Sequence, residues 1–169
     1  MRKYLFLFLF GALSFNSLHS QEEKTKGKAP VDYVNNYIGN ISHLLVPTYP
    51  TTHLPNSMLR MIPTHNEFTT DRMEGLPLNS PSHRQGHSLL LLPYRGDVKE
   101  FGGNLKYRYD HEKSTPYNYS VYLDDFSVGV DFAPAAKSAI YRFRFEDSDR
   151  RLILLKANGK GEIDIDRKS

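Results

Sequence analysis

Apolar and polar residues alternate with a period of two along much of the C-terminal third of the chain. Phe126, Val128, Val130 and Phe132 fall on one side and Ser127, Gly129 and Asp131 on the other, the pattern of a half-buried strand. In Ala139–Phe145, Tyr141, Phe143 and Phe145 alternate with Arg142 and Arg144. Leu152–Lys156 and Gly161–Asp166 follow, and Asp-Asp, Ala-Pro, Asp-Ser-Asp and Asn-Gly turns separate the runs. Residues 117–166 therefore predict an antiparallel meander. Further upstream, Ser88–Pro93 is a continuous apolar run bounded by Gly86, which predicts a strand buried on both faces. Ser57–Ile62 is a second short apolar run. No segment keeps helical periodicity over three turns. Seven of the ten prolines lie in residues 31–93, and each removes an amide donor, so this stretch predicts loops rather than helices. The fold expected is all-β, an antiparallel β-sandwich of about seven or eight strands.

The first twenty residues break the pattern. Arg2 and Lys3 precede an apolar run from Tyr4 to Phe15, and Ser17, Ser20 and Gln21 follow. This is the layout of a secretory signal peptide cleaved after Ser20. The run is shorter than the ~20 apolar residues of a membrane-spanning helix. The expected organisation is a signal peptide at 1–20, a flexible polar leader at 21–30 and a β-sandwich domain at 31–169. Export to the periplasm or the medium is implied, with no membrane attachment after cleavage.

Composition sharpens this reading. The 169 residues include 22 Lys+Arg and 19 Asp+Glu. Residues 1–20 carry two of the basic residues and no acidic ones, so the remainder is close to neutral at +1. No basic stripe is left to grip nucleic acid. Eleven Tyr and ten Phe without a single Trp favour strands. The absence of Cys excludes disulfides, thiolate metal sites, cysteine nucleophiles and a lipid anchor on an N-terminal Cys.

Candidate chemistry is sparse. His83 and His87 have the spacing of two ligands on a helix face, but Pro81 and Gly86 argue against a helix. Asp124-Asp125 is the obvious carboxylate pair and reads as a turn. Glu162, Asp164 and Asp166 share one face of a predicted strand. They read as a solvated face, with a hard cation such as calcium as the alternative. No nucleophile elbow and no phosphate-binding glycine loop occur.

Several segments, in order, resemble the N-terminal part of glycoside hydrolase family 92. They are Tyr33–Asn40 (YVNNYIGN), His43–Arg60, Gly75-Leu-Pro-Leu with Ser82-His83, the apolar strand Leu89–Pro93, Tyr109-Asp-His-Glu112, and Pro116-Tyr-Asn-Tyr with Val121-Tyr-Leu123. The family's Gly-His-Gly-His loop is replaced by Asn40-Ile-Ser-His43, which marks a divergent branch. The resemblance implies the N-terminal β-sandwich of a calcium-dependent, inverting exo-α-mannosidase. The catalytic carboxylates and most of the calcium shell would then belong to a C-terminal helical domain absent from this chain, so that the chain alone is inactive and binds no calcium. The partners implied are mannose-containing glycans and that helical domain. Sandwich loops line the mannose pocket in this family, which nominates Gly39, Asn40, His43, Ser82, His83 and Arg84 as sugar contacts. The alternative reading is a stand-alone secreted carbohydrate-binding sandwich, with Tyr107, Tyr109, Tyr117 and Tyr119 as an aromatic platform.

The export reading has a direct check. Mass spectrometry of the exported chain should find its N-terminus at Gln21; an intact Met1–Ser20 would make that segment part of the mature protein.

Overall fold

The computed structural model describes residues 27–40, 48–65, 70–81, 86–103, 105–146 and 150–157. The predicted signal peptide, most of the predicted leader and the predicted strand Gly161–Asp166 lie outside them. The described residues form an all-β sandwich of two antiparallel sheets with no α-helix. The strands are β1 (Arg72–Met73), β2 (Leu76–Pro77), β3 (Leu89–Tyr94), β4 (Tyr107–Ser114), β5 (Tyr119–Leu123), β6 (Val128–Pro134), β7 (Ala139–Phe145) and β8 (Leu152–Ala157). One sheet has the order β1-β4-β5-β6-β7 and the other β2-β3-β8.

The predicted alternation places the core. Val128, Val130 and Phe132 on β6 are fully buried, and Val121 and Leu123 on β5 join them. Across the sandwich, Leu90 and Leu92 fill the facing side of β3. Phe126 does not begin β6, as its alternation with Val128 implied. Asp124–Phe126 form a 3-10 turn, and Ser127 takes a left-handed conformation (φ 51°) before the strand starts. Phe126 still packs edge-on against Tyr94 and Tyr107, at 5.3 and 5.7 Å between ring centroids. On β7 the alternation holds, but Tyr141, Phe143 and Phe145 are only half-buried because β7 is an edge of its sheet.

Three expectations change. The meander runs β4 to β7 and starts at Tyr107, ten residues earlier than the pattern indicated. Leu152–Ala157 leaves it and pairs with β3 in the other sheet. Within the apolar run Ser57–Ile62, Met61 reaches the core through an isolated bridge to Thr52, with N–H···O distances of 3.0 and 3.1 Å. Leu89–Leu92 forms a strand paired on both sides, but its two faces differ. Leu90 and Leu92 are buried whereas Leu89 and Leu91 are half-covered.

The chain changes sheets between β1 and β2. Gly75 makes this crossing at φ 136°, a conformation closed to side-chain-bearing residues. A Cβ there would sit 2.5 Å from a Leu92 methyl and 3.3 Å from the Leu91 carbonyl. The buried Thr64 ties the crossing down, donating to the Gly75 carbonyl and accepting from the Glu74 amide at 3.0 Å. Gly75→Ala combines backbone strain with overpacking and should cost about 2–4 kcal/mol. A denaturant midpoint unchanged from the parent chain would contradict this account of the crossing.

Candidate functional site

The sequence candidates that the structure describes, Gly39 and Asn40, sit in a tight loop after the 3-10 turn Pro30–Tyr33. Gly39 has φ 80°, and a Cβ on it would come within 2.9 Å of the Thr48 hydroxyl. The loop is closed on Thr48, whose amide donates to the Gly39 carbonyl at 2.9 Å and whose hydroxyl donates to the Ile38 carbonyl at 2.8 Å. Asn40 is buried against the same threonine. His43, Ser82, His83 and Arg84 lie outside the described residues. Among the described residues flanking Ser82–Arg84 in sequence, the Ser80 hydroxyl accepts from the Ile62 amide at 3.3 Å and lies 3.0 Å from His87 Nδ1. Burial lowers the His87 pKa, partly countered by Glu74.

The end of β4 organises the ground beneath the first loop. A bulge sets two β4 residues, His111 and Glu112, against one residue of β5 between the pairs Asp110–Tyr122 and Lys113–Ser120. His111 absorbs the extra residue with φ 53°. The bulge reverses the parity of the strand. Tyr107 and Tyr109 face inward before it; Glu112 and Ser114 face inward after it, where plain alternation would have turned them out. Ser114 accepts from Asn36 Nδ2 at 3.0 Å, and the same amide donates to the Thr51 carbonyl at 2.9 Å. Ser114 also donates to the Pro50 carbonyl at 3.2 Å, and Thr52 donates to the Thr115 carbonyl at 2.9 Å. The loops at 36–40 and 50–52 are thereby fixed to β4.

Glu112 anchors a buried polar cluster at the same place. Its Oε1 accepts from the Tyr119 hydroxyl at 2.7 Å and from His65 Nε2 at 3.2 Å. A carboxylate only accepts, so His65 carries its hydrogen on Nε2 in this contact. The His65 ring stacks on Tyr109 at 5.6 Å. Burial, reinforced by the negative charge of Glu112, pushes the Tyr37 phenol up to about 12. The arrangement is one of anchoring: a carboxylate with its hydrogen bonds already made holds loop-bearing side chains in place. Of its members, Tyr109 and Tyr119 were candidates only as an exposed platform, and Tyr37, His65 and Glu112 were not site candidates. The readable signal was the spacing of Tyr107, Tyr109, Glu112 and Ser114, which only a one-residue insertion brings onto one face.

The other sequence constellations resolve differently. Asp125 accepts from the Arg108 amide at 2.8 Å and from its Nε at 2.9 Å, so Asp124-Asp125 is a turn locked to β4. Partial burial pushes the Asp125 carboxyl up, but the Arg108 bonds outweigh it and leave the group below its ordinary value. The tyrosine platform is not presented. Tyr107 and Tyr119 are fully buried and Tyr109 is half-buried; Tyr117 alone of the four is exposed, its hydroxyl donating to Asp32 at 2.9 Å. Among the described residues no three His, Asp or Glu side chains come together to hold a metal ion. Glu162, Asp164 and Asp166 lie outside the described residues.

The sequence profile of the glycosyl hydrolase family 92 N-terminal domain matches residues 33–168. The chain belongs to glycosyl hydrolase family 92. Solved family 92 structures share the fold. The α-mannosidase BT3965 from Bacteroides thetaiotaomicron, in complex with mannoimidazole, superposes with a TM-score of 0.62 at 23% identity. The inverting mannosidase BT2199 from Bacteroides thetaiotaomicron VPI-5482 gives 0.55 at 25% identity. Each match covers 76% of this chain and 20% of the other, so the chain spans about a fifth of the length of these enzymes. No match is found among curated proteins.

The anchoring cluster of this family 92 domain has a titration signature. Tyr37 has a raised pKa in the folded state, so the stability it contributes is full below about pH 10 and is lost as the pH rises towards 12. Glu112→Gln removes a negative charge, so it should bring the Tyr37 titration down towards the ordinary tyrosine value. Phenolate absorbance of the parent and of Glu112→Gln, each differenced against its Tyr37→Phe form, isolates this one group. An unmoved midpoint would uncouple Tyr37 from Glu112.

Proposed function

We propose that this chain is the N-terminal sandwich of an exported α-mannosidase that acts on α-mannosides of glycans with inversion of configuration. The observation that carries this reading is the family match over residues 33–168, joined to the fold shared with two family 92 mannosidases. An inverting glycosidase needs a carboxylic acid to protonate the leaving oxygen and a carboxylate to activate water. In this proposal both belong to a helical domain outside the chain, together with most of the calcium shell. The sandwich contributes loops, with Gly39, Asn40, His43, Ser82, His83 and Arg84 as its sugar contacts. The domain division at residue 31 and the cleavage after Ser20 are part of the same proposal.

Exposed apolar side chains support a missing companion. Tyr33 and Ile38 beside the first loop are 72% and 74% exposed, and Ile153 and Leu155 on the outer side of β8 are 41% and 49% exposed. Apolar groups in such number on one small domain mark surfaces that another body covers.

Residues 21–169 should show no turnover of aryl α-mannosides, whereas the product of a reading frame extended through the helical region should hydrolyse them with inversion, read by NMR of the first-formed anomer. Turnover by residues 21–169 alone would overturn the division of labour. An extended product that cleaves only other glycosides would overturn the substrate.

A further inference from the structure

The outward face of the five-stranded sheet carries a cleft to which the loop at 36–40 contributes no lining residue. Cross-strand register lays Lys113, Ser120, Asp131 and Arg142 in one row from β4 to β7. In the next row Ala133 pairs with Ile140, and Asn118 stands at the start of β5. Ala133 offers only a methyl group, so the sheet surface dips between its larger neighbours. The cleft is lined by Asn118, Asp131, Ala133, Ile140 and Arg142 and has a volume of about 250 Å³. That is below the ~300–1,000 Å³ of sites for drug-sized ligands. It suits a single ring.

Its polar groups are fixed before any ligand arrives. Arg142 donates to Asp131 Oδ2 through Nε at 3.1 Å, with its Nη2 3.0 Å from that oxygen, and Arg144 Nη1 donates to the same oxygen. All these bonds fall on Oδ2, and among the described residues Oδ1 receives none. Partial burial pushes the Asp131 carboxyl up, but the two arginines outweigh it and hold the group ionised below its ordinary range. Asn118 Nδ2 donates to the Phe132 carbonyl at 3.2 Å, which orients the amide and leaves its oxygen and second N–H. Ile140, 67% exposed, and Ala133 supply an apolar wall.

This combination selects a ligand class. Asp131 Oδ1 can only accept, so a ligand that meets it must bring an O–H or N–H hydrogen, which a fully ionised oxyanion lacks. Guanidinium, amide and carboxylate together are too polar for a hydrocarbon. Neighbouring hydroxyls on a ring are donors and acceptors at once, so they match Oδ1, the amide and the guanidinium, while the ring's C–H face suits Ile140. We infer that the cleft between Asn118, Asp131, Ile140 and Arg142 binds one neutral sugar ring. The choice of a mannoside as first probe rests on the proposed function; the chemistry of the cleft does not.

The test is an NMR titration of the full exported chain with methyl α-mannoside, methyl α-glucoside and methyl β-galactoside. At least one should shift the Ile140 methyl, the Asn118 side-chain amide and the Arg142 Nε–H together, with millimolar affinity. Asp131→Asn should weaken binding at least about tenfold, the loss expected for a hydrogen bond to a charged group. Ile140→Ser tests the apolar wall without touching the ion pairs, should Asp131→Asn fold poorly. Arg108→Ala, on the same sheet face but outside the cleft, should bind as the parent does. Shifts confined to other residues would sink the cleft and leave the glycan reading of the domain standing. No shift with any of the three sugars, alongside mannosidase turnover by the extended product, would also sink the cleft alone. Both cleft variants binding like the parent would do the same.

Discussion

The sandwich depends on hiding large tyrosine rings without stranding their hydroxyls. A buried phenol needs a hydrogen-bond acceptor, and leaving it unpaired costs about 1–3 kcal/mol. Here two of the acceptors lie across the layers. Tyr107, on the five-stranded sheet, donates to the Pro93 carbonyl on β3 at 3.1 Å, and Tyr141 donates to the Pro77 carbonyl on β2 at 2.6 Å. Tyr109 reaches the Thr70 carbonyl at 2.8 Å and Tyr119 reaches Glu112. A chain without Cys has no disulfide between its sheets, and the Tyr107 and Tyr141 phenols tie one to the other instead. Burial raises the pKa of each of the four, so all remain neutral donors at ordinary pH.

The bulge at His111 and Glu112 extends the same constraint to the loops. It turns an acidic side chain inward, where Tyr119 and His65 satisfy it, and it brings Ser114 beneath Asn36 and Thr52. One left-handed residue therefore sets which loops the sheet carries and at what height. Glu112 is an expensive group to bury, and two donors, the Tyr119 hydroxyl and His65 Nε2, meet its Oε1.

How far the sequence spoke follows from these two devices. Where alternation was uninterrupted, as in Val128–Phe132 and Ala139–Phe145, the strands and their inward faces were legible because period-2 burial leaves a period-2 pattern. Tyr107–Ser114 was illegible because its bulge breaks the period and its inward residues include Glu112 and Ser114. The tyrosines misled for a related reason: an amphipathic ring is compatible with a wet platform or a dry core, and only its partner decides. Order along the chain carried the family, while chemistry did not, because the described residues hold no paired carboxylates poised for hydrolysis and no metal cluster. Of the candidate site, Gly39 and Asn40 were named through the family resemblance, while the network beneath them joins residues as far apart as Asn36 and Ser114.

The pairing of β3 with β8 has a consequence for the order of assembly. Leu91 lies opposite Leu155, roughly sixty residues later in the chain, while β4 to β7 pair each with its immediate successor. Closing a long loop costs entropy before any contact repays it, so the meander can form early and the three-stranded sheet late. The apolar run Leu89–Leu92 is made long before its principal partner in a chain synthesised from its N-terminus. Until Leu152–Ala157 arrives, that strand has only the two residues of β2 beside it. In that interval the apolar strand presents an unpaired edge, the kind of edge that recruits another chain's strand.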